Sequence, residues 1–323
     1  MDRVELENTA HCFYFIYLGE CMKTDGLLIK AVGYMVKIYM HLPIQLFKPL
    51  LRKIYFGFIN SGNNRSIVTK RIDGVNFELD MKEVIDSAMY YEGTREPGTS
   101  QALKKLCKRG HVVFDIGANI GSHSLPIASY VGEEGKIYAF EPVPWAINKL
   151  MRNLELNKFN NLVVESIALS DVSENEVNMD FRASFKIGSE SGVDRDGKIG
   201  SGWWSECDHI KVRMDTLDSY VSSHQISRLD LIKLDVDGFE GKVIRGALET
   251  LKRFQPVLIM EIAPAWTEMR GDDMTDILHE IEQLGYKFYT EMGFEPIQNI
   301  SQLIENLPRE GGFNVVASVR DLI

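Results

Sequence analysis

Acidic side chains and one histidine stand in this sequence where predicted strands end or predicted helices begin. Asp235, Asp237 and Glu240 follow one apolar strand. Glu261 lies near the end of the next strand, and His123 lies at a helix start. Such groups take a proton from a hydroxyl, contact a cationic ligand or bind a metal ion. They are our candidate catalytic residues, although acids at a helix start also stabilise it through its dipole, and a lone histidine is often structural.

A glycine-containing turn precedes these residues in the sequence FDIGANIGSHS, 114–124. A short apolar strand passes Asp115, turns between Gly117 and Gly121, and enters a helix. Glycines let a backbone approach a ligand closely, and open α/β sheets bind ligands at the carboxyl ends of their strands. Glu141, 20 residues after Gly121, ends the next strand and can accept the hydroxyl hydrogens of a ribose. The cofactor-binding candidates of this region are Asp115, Gly117, Ala118, Asn119, Gly121, Glu141 and Pro142.

The spacing of the turn favours one cofactor class. A dinucleotide site expects G-x-G-x-x-G, whereas Asn119 stands at the second glycine position of this G-x-x-x-G turn. Asp115 would repel a pyrophosphate and attract an ammonium or sulfonium group. We therefore predict S-adenosylmethionine rather than a nicotinamide dinucleotide; a tight turn that binds nothing is the remaining interpretation.

The elements around these residues alternate from His111 onward. Apolar strands separated by amphipathic helices predict an α/β fold, with a parallel sheet covered on both faces. The predicted strands are 112–116, 136–141, 161–166, 229–235, 256–262, 286–291 and 313–319, and the predicted helices 120–131, 144–157, 239–253 and 272–284. The predicted S-adenosylmethionine-binding domain thus covers residues 111–323. A Gly-, Ser- and Asp-rich insertion at 183–208 interrupts it. Before it we predict a helical extension at 1–60 and a lead-in at 65–110, with an Asp-Gly hairpin over 66–80 and helical residues over 83–108.

Composition limits the partners and the location. The 323 residues carry a net charge of −10, which gives a nucleic-acid partner no general electrostatic help. The four cysteines form no C-x-x-C pair, so we expect no zinc site. We expect a cytoplasmic protein with reduced thiols, because we see neither a secretory signal nor a membrane-spanning run. Between Asp25 and Asp73 there are eight basic and no acidic residues. Residues 26–72 therefore either contact an anionic membrane surface or dock on the chain's own acidic domain.

An ordered set of motifs resembles the FkbM-type methyltransferase family. The set comprises FDIGANIG, YAFEP (138–142), IALSD (167–171), DTLDSY (215–220), LDLIKLDVDGFEGKVIRGA (229–247) and LIMEI (258–262). YYEGTREPGTS (90–100) resembles the family's lead-in, and the resemblance covers about residues 66 to 319. It implies a class I methyltransferase fold, a Rossmann-like seven-stranded sheet with helices on both faces and an antiparallel last strand. It also implies O-methylation, often of a sugar or natural-product hydroxyl.

The resemblance assigns roles by position. It implies that Gly117 to Gly121 wrap the methionine part of the donor, that Glu141 holds the ribose and that Asp235 faces the reacting centre. Asp237 departs from the family, which commonly has Glu there. The residues implied to flank the adenine are Ser166, Ile167 and Ala168.

The acceptor is expected to be a small molecule or a glycan, contacted by Glu96, Trp203 and Trp204. Trp203 and Trp204 could instead anchor the insertion at 183–208 to the rest of the protein. A base-methylating enzyme typically has Asn/Asp-Pro-Pro-aromatic where this chain has Asp-Val-Asp-Gly, so we expect no nucleic-acid acceptor. Two alternatives stay open: magnesium held by Asp235, Asp237 and Glu261, and a non-enzymatic membrane-associated binding protein.

Overall fold

The computed structural model describes residues 67–80, 83, 85–86, 89–90, 93–181, 208–305 and 312–322. Of these, 67–72 and the described residues between 77 and 95 belong to one compact unit. Residues 73–76, 96–181, 208–305 and 312–322 belong to a second unit. The predicted helical extension at 1–60, Trp203 and Trp204 lie outside the described residues, as does most of the basic segment 26–72.

The Asp-Gly motif forms the turn of a hairpin, as its sequence predicts. Strands β1 (Ile67–Ile72) and β2 (Val75–Asp80) form a two-stranded sheet. Asp73 and Gly74 between them have φ of 45° and 85°, the left-handed values that such a turn requires. In β2, Val75, Phe77 and Leu79 are buried and alternate with partly exposed residues, the period of a strand with one covered face.

The second unit is built on a seven-stranded sheet in the order β11-β12-β10-β9-β3-β4-β5. Its strands are β3 (Val112–Ile116), β4 (Lys136–Phe140), β5 (Leu162–Glu165), β9 (Leu231–Leu234), β10 (Val257–Ile262), β11 (Lys287–Thr290) and β12 (Phe313–Ser318). The last strand, β12, runs antiparallel to both of its neighbours, and the pairs from β10 through β5 are parallel. The class I methyltransferase arrangement is therefore confirmed.

Helices connect the strands, and their bounds correct two predictions. The helices are α1 (Pro97–Leu106), α2 (Ser124–Val131), α3 (Pro144–Glu155), α4 (Leu217–Ser223), α5 (Glu240–Arg245), α6 (Leu248–Phe254), α7 (Pro264–Met269), α8 (Met274–Gln283) and α9 (Ile300–Glu305). The single helix predicted over 239–253 is wrong, because the chain bends at Gly246, where a Cβ would lie 1.9 Å from the Ser170 carbonyl oxygen. The helix predicted to begin at residue 120 begins at Ser124, because the glycine turn continues to His123.

A second, three-stranded sheet was not predicted. It has the order β6-β8-β7, from β6 (Ala168–Leu169), β7 (Glu174–Phe181) and β8 (Asp208–Asp215). Its signal is weak in the sequence, since β6 has two residues and the described part of β7 is mostly exposed. The predicted insertion at 183–208 separates β7 from β8.

The core of the large sheet fixes the strand ends that carry the candidate residues. Phe114 packs edge to face against Phe140, with ring centroids 5.3 Å apart, and Tyr220 lies 4.8 Å from Phe140. All three side chains are almost fully buried. No helix in the described part of the chain combines the length and apolar character needed to cross a membrane.

Candidate active site

Neighbouring parallel strands bring the predicted carboxylates to one edge of the sheet. Asp115 lies in β3, Glu141 follows β4, Asp235 follows β9 and Glu261 lies near the end of β10. Because the strands β10, β9, β3 and β4 are adjacent and parallel, their carboxyl ends lie side by side. We call this region, together with two carboxylates on the turn after β9, the acidic edge: Asp115, Glu141, Asp235, Asp237, Glu240 and Glu261.

The glycine turn at 117–121 packs directly against the end of β9. Gly117 has φ of 81°, and a Cβ there would lie 1.8 Å from the Asp235 carbonyl oxygen. The Asp235 N–H donates to the Ile116 carbonyl at 3.1 Å, which joins the two strand ends on the other side. Asn119 has φ of 48°, and its buried Oδ1 has no hydrogen-bond partner among the described residues. The turn thus holds a polar atom ready for a ligand.

Glu141 holds this turn from the neighbouring strand. Its Oε2 accepts from the Asn119 N–H at 2.8 Å and its Oε1 from the Val143 N–H at 2.9 Å. Burial raises the pKa of Glu141 to about 7, and the two backbone hydrogen bonds oppose that rise. Each carboxylate oxygen retains a second lone pair, so the side chain can still accept hydrogen bonds from a ligand.

Lys233 was missed by the sequence analysis and lies at the centre of the acidic edge. Its Nζ is 3.0 Å from Asp235 Oδ2 and 3.8 Å from Asp115 Oδ1, and its side chain is buried. Burial lowers the pKa of Lys233, but the charges of Asp235, Asp115 and Glu96 outweigh it and raise the pKa overall. A lysine inside the apolar strand LDLIKLD was the available signal, since a buried lysine needs a charged partner.

Asp237 and Glu240 occupy different environments on the turn after β9. Asp237 is exposed and has φ of 51°. Glu240 is fully buried, and its Oε1 accepts from the Val236 N–H at 2.9 Å. Burial raises the pKa of Glu240 to about 7. Glu240 thus holds the turn that carries Asp237, whereas the N-cap of the following helix is Phe239, without a side-chain cap hydrogen bond.

Glu261 lies among like charges. Burial raises the pKa of Glu261 to about 9, with further contributions from Asp235, Asp237, Glu240 and Glu96. Carboxylate oxygens of Asp235, Asp237 and Glu261 all lie within 4.8 Å of one another, a spacing that a divalent cation can bridge. Among the residues that the structure describes, carboxylates outnumber positive charges in this part of the acidic edge.

His123 and Glu96 form a contact beside the glycine turn. His123 Nε2 is 3.1 Å from Glu96 Oε2, and His123 is 7% exposed. Thr99, in the first turn of α1, donates to Glu291 Oε2 at 2.9 Å and accepts from Asn314 Nδ2 at 2.8 Å. Sequence reasoning missed the bonds of Thr99 to Glu291 and Asn314, because these residues are far apart in sequence.

The remaining predicted cofactor residues lie after β4 and β5. Pro142 follows Glu141 and is partly exposed. Ser166 is exposed after the end of β5, Ile167 is buried, and Ala168 begins β6. These residues follow β4 and β5, which are adjacent and parallel. They therefore lie at the same end of the sheet as the glycine turn.

Comparisons with known proteins place the chain among methyltransferases. It is 29% identical over 177 residues to the 2-O-methyltransferase NoeI of Sinorhizobium fredii, a match covering 51% of this chain and 70% of the relative. It is 32% identical over 120 residues to the tRNA (guanine(37)-N(1))-methyltransferase Trm5b of Pyrococcus abyssi, covering 37% of this chain and 33% of that protein. It is 19% identical over 204 residues to the hexuronic acid methyltransferase AglP of Haloferax volcanii, covering 62% and 77%.

The family model described as the methyltransferase FkbM domain matches residues 115–288. The match begins at the strand that leads into the glycine turn and includes every strand end of the acidic edge. The chain therefore belongs to the FkbM methyltransferase domain family and is a methyltransferase.

Proposed function

We propose that the chain transfers the methyl group of S-adenosylmethionine to a hydroxyl of a sugar, a glycan or a related natural product. The observation that carries this proposal is the acidic edge beside a glycine turn that leaves no space for a side chain at Gly117. Excess carboxylates suit a ligand that brings positive charge, and S-adenosylmethionine carries a sulfonium and an ammonium. A pyrophosphate-containing cofactor would bring the opposite charge to the same place.

The residues present fit the donor. Glu141 has acceptor capacity left for the two ribose hydroxyls, and Asn119 Oδ1 is a buried acceptor without a partner among the described residues. Asp115 and Asp235 lie beside the glycine turn, where their carboxylates could contact the ammonium of the donor's methionine part. When bound, the donor supplies an electrophilic methyl group; the chain's own residues bind, align and accept a proton.

Glu261 is our choice for the proton acceptor. With the donor held by the glycine turn and Glu141, Glu261 would accept the proton that the acceptor hydroxyl loses when it is methylated. The raised pKa of about 9 keeps Glu261 protonated at neutral pH in the ligand-free chain, so it can act as the base only once it is ionised. A cationic donor nearby favours that ionised form. Lys233 Nζ lies 3.0 Å from Asp235 Oδ2 and holds that side chain in place.

The relatives support the acceptor class. One has O-methyl transfer in its name and another has a hexuronic acid as its acceptor. The relative that modifies tRNA matches only 37% of this chain. A polyanionic acceptor would also meet the carboxylates of the acidic edge and a net charge of −10. The supporting observations therefore favour a sugar hydroxyl over a nucleic-acid base.

The test uses the full chain, methyl-labelled S-adenosylmethionine and a panel of hexoses, uronic acids, deoxysugar glycosides and unmodified tRNA. We expect one methyl group on a sugar oxygen, located by mass spectrometry, and none on tRNA. If tRNA is labelled and the sugars are not, the proposed sugar acceptor is wrong. If the chain binds a nicotinamide dinucleotide and not S-adenosylhomocysteine, the proposed donor is wrong. Activity lost with a chelator and restored by Mg²⁺ assigns Asp235, Asp237 and Glu261 to a metal instead.

A further inference from the structure

Two helix N-termini meet at the contact between His123 and Glu96. His123 is the residue before α2, which has eight residues, and Glu96 is the residue before α1, which has ten. Both caps lack a side-chain hydrogen bond to their own helix. The two side chains contact each other instead, at 3.1 Å. The first N–H groups of a helix have no intrahelical partner and carry partial positive charge, so this place favours an anion.

The methionine part of the donor carries two opposite charges on one carbon, an ammonium and a carboxylate. The acidic edge suits the ammonium and repels the carboxylate. Two nitrogen-bearing side chains contact carboxylates in this region: Lys233 contacts Asp235, and His123 contacts Glu96. Lys233 is buried, and its Nζ already contacts Asp235, Asp115 and, at 3.4 Å, the Gly117 carbonyl oxygen. His123 directly follows the turn and precedes a helix with no acidic residue in its first turn.

Resting on the proposed use of S-adenosylmethionine, we propose that His123 binds the α-carboxylate of the donor's methionine part. Nε2 is occupied by Glu96, whereas Nδ1 has no hydrogen-bond partner among the described residues. An imidazole that carries both protons donates to Glu96 from Nε2 and to the donor carboxylate from Nδ1. His123 is therefore a donor-binding residue and not the base that takes the acceptor proton.

Glu96 is a positioning residue for this contact, and its own place is fixed by α1. Thr99 in that helix bonds Glu291 and Asn314, the second of which lies in β12. A Cβ at Gly98 would lie 1.9 Å from Glu291 Oε1, so the start of α1 packs tightly on that side chain. The bond from Asn314 of β12 thus fixes the start of α1, which fixes the position of Glu96. Glu96 in turn orients the His123 imidazole through their 3.1 Å contact.

The experiment compares two ligands by calorimetry. S-adenosylhomocysteine has the carboxylate; its decarboxylated analogue keeps the amine and the nucleoside. We expect His123→Gln to weaken S-adenosylhomocysteine roughly 10- to 100-fold, the range for a hydrogen bond to a charged group, and to leave the analogue within about twofold. Glu96→Gln should give the same selectivity with a smaller loss. His279→Gln, at an exposed histidine of α8, is the matched control and should change neither affinity.

The outcomes separate this inference from the proposed function. Equal weakening of both ligands by His123→Gln means a structural role and overturns the inference. Unchanged affinities with reduced turnover make His123 a base and overturn it too. If the unmodified chain binds neither ligand, the proposed donor fails and the inference fails with it. Because the analogue reports whether each variant still folds a nucleoside site, a folding defect cannot imitate the expected result.

Discussion

Two regions of the large unit concentrate carboxylates, and they balance them differently. On the surface, Arg245 bonds both oxygens of Asp272 at 2.8 and 2.9 Å and lies within 4.0 Å of Asp171 and Glu280. At the acidic edge, Lys233 contacts Asp235 and Asp115, while burial leaves Glu141, Glu240 and Glu261 with raised pKa values. In both regions, among the described residues, one cation faces several carboxylates. The carboxylates around Arg245, which with it form the Arg245 cluster, are partly exposed, so solvent screens their charge. Those of the acidic edge are mostly buried, so a cationic ligand would stabilise their ionised forms.

Removing the charge of Asp235 should have the largest effect. Asp235→Asn leaves Lys233 buried with Asp115 as a remaining carboxylate at 3.8 Å, and takes a carboxylate from the proposed reacting centre. We expect turnover to fall on the order of 100-fold or more, the range for a lost proton-transfer or charge-orienting group. Steady-state methyl transfer measures it, with circular dichroism as the check on folding. A folded variant with near-normal turnover would remove Asp235 from the site.

Glu141 should contribute to donor binding rather than to the chemical step. Glu141→Ala removes two acceptor oxygens and frees the Asn119 and Val143 N–H groups that it holds. We expect a loss of roughly 1.5–3 kcal/mol of S-adenosylhomocysteine affinity, measured by calorimetry. Turnover at saturating donor should change much less. The opposite pattern, normal affinity with slow turnover, contradicts the ribose assignment.

The pH dependence of stability should follow the raised pKa values. The folded chain keeps protons on Glu141 and Glu240 up to about pH 7 and on Glu261 up to about pH 9, whereas unfolded glutamates release them near 4.5. The stabilisation by these protons is present below the unfolded value and is lost as pH rises through the folded one, by about 1.4 kcal/mol per unit of pKa difference. The melting temperature of the ligand-free chain should therefore fall between pH 5 and 9.

Glu261→Gln is the sharpest variant for this prediction, since glutamine imitates the protonated acid at every pH. It should flatten the fall above about pH 7, where Glu261 is the main group still titrating. S-adenosylhomocysteine should raise the melting temperature more at high pH than at low pH, because its ammonium favours ionised carboxylates. A melting temperature that rises with pH in the ligand-free chain contradicts the assignment of these shifts.

The smallest effect is expected in the Arg245 cluster. Asp272→Asn removes a partly exposed ion pair and should lower the free energy of unfolding by about 1 kcal/mol or less. Donor affinity and turnover should stay unchanged. Urea unfolding together with calorimetry measures both. An effect on donor binding as large as that of Glu141→Ala would mean that the two regions are coupled and that their comparison does not hold.

The sequence predicted the parts of the fold in which apolar and polar residues follow a clear pattern. Every strand of the large sheet was predicted within a few residues, because each is a short apolar run bounded by polar residues. The break between α5 and α6 was not, because it depends on the close approach of Gly246 to Ser170, which are far apart in sequence. The small sheet was missed because β6 is two residues long and β7 has few apolar residues.

Among the candidate residues, too, some positions could be predicted from the sequence and some contacts could not. Those at strand ends, such as Asp235 and Glu261, could be placed from sequence because parallel strands share a carboxyl edge. Lys233 could not be paired with Asp235 and Asp115 until the register of β3 and β9 was known. The contact between Glu96 and His123 depends on how two helices pack, and no local pattern encodes that. Their roles as donor or acceptor contacts stay predictions that the variants above test.

The close approach of Gly117 to the Asp235 carbonyl has a consequence for how this enzyme can diversify. A side chain at position 117 would separate the ends of β3 and β9, and with them the glycine turn and Asp235. Any substitution of Gly117 is therefore expected to disturb the proposed donor site and the proposed reacting centre together. Substitutions that change the acceptor preference alone are expected at other positions of the chain.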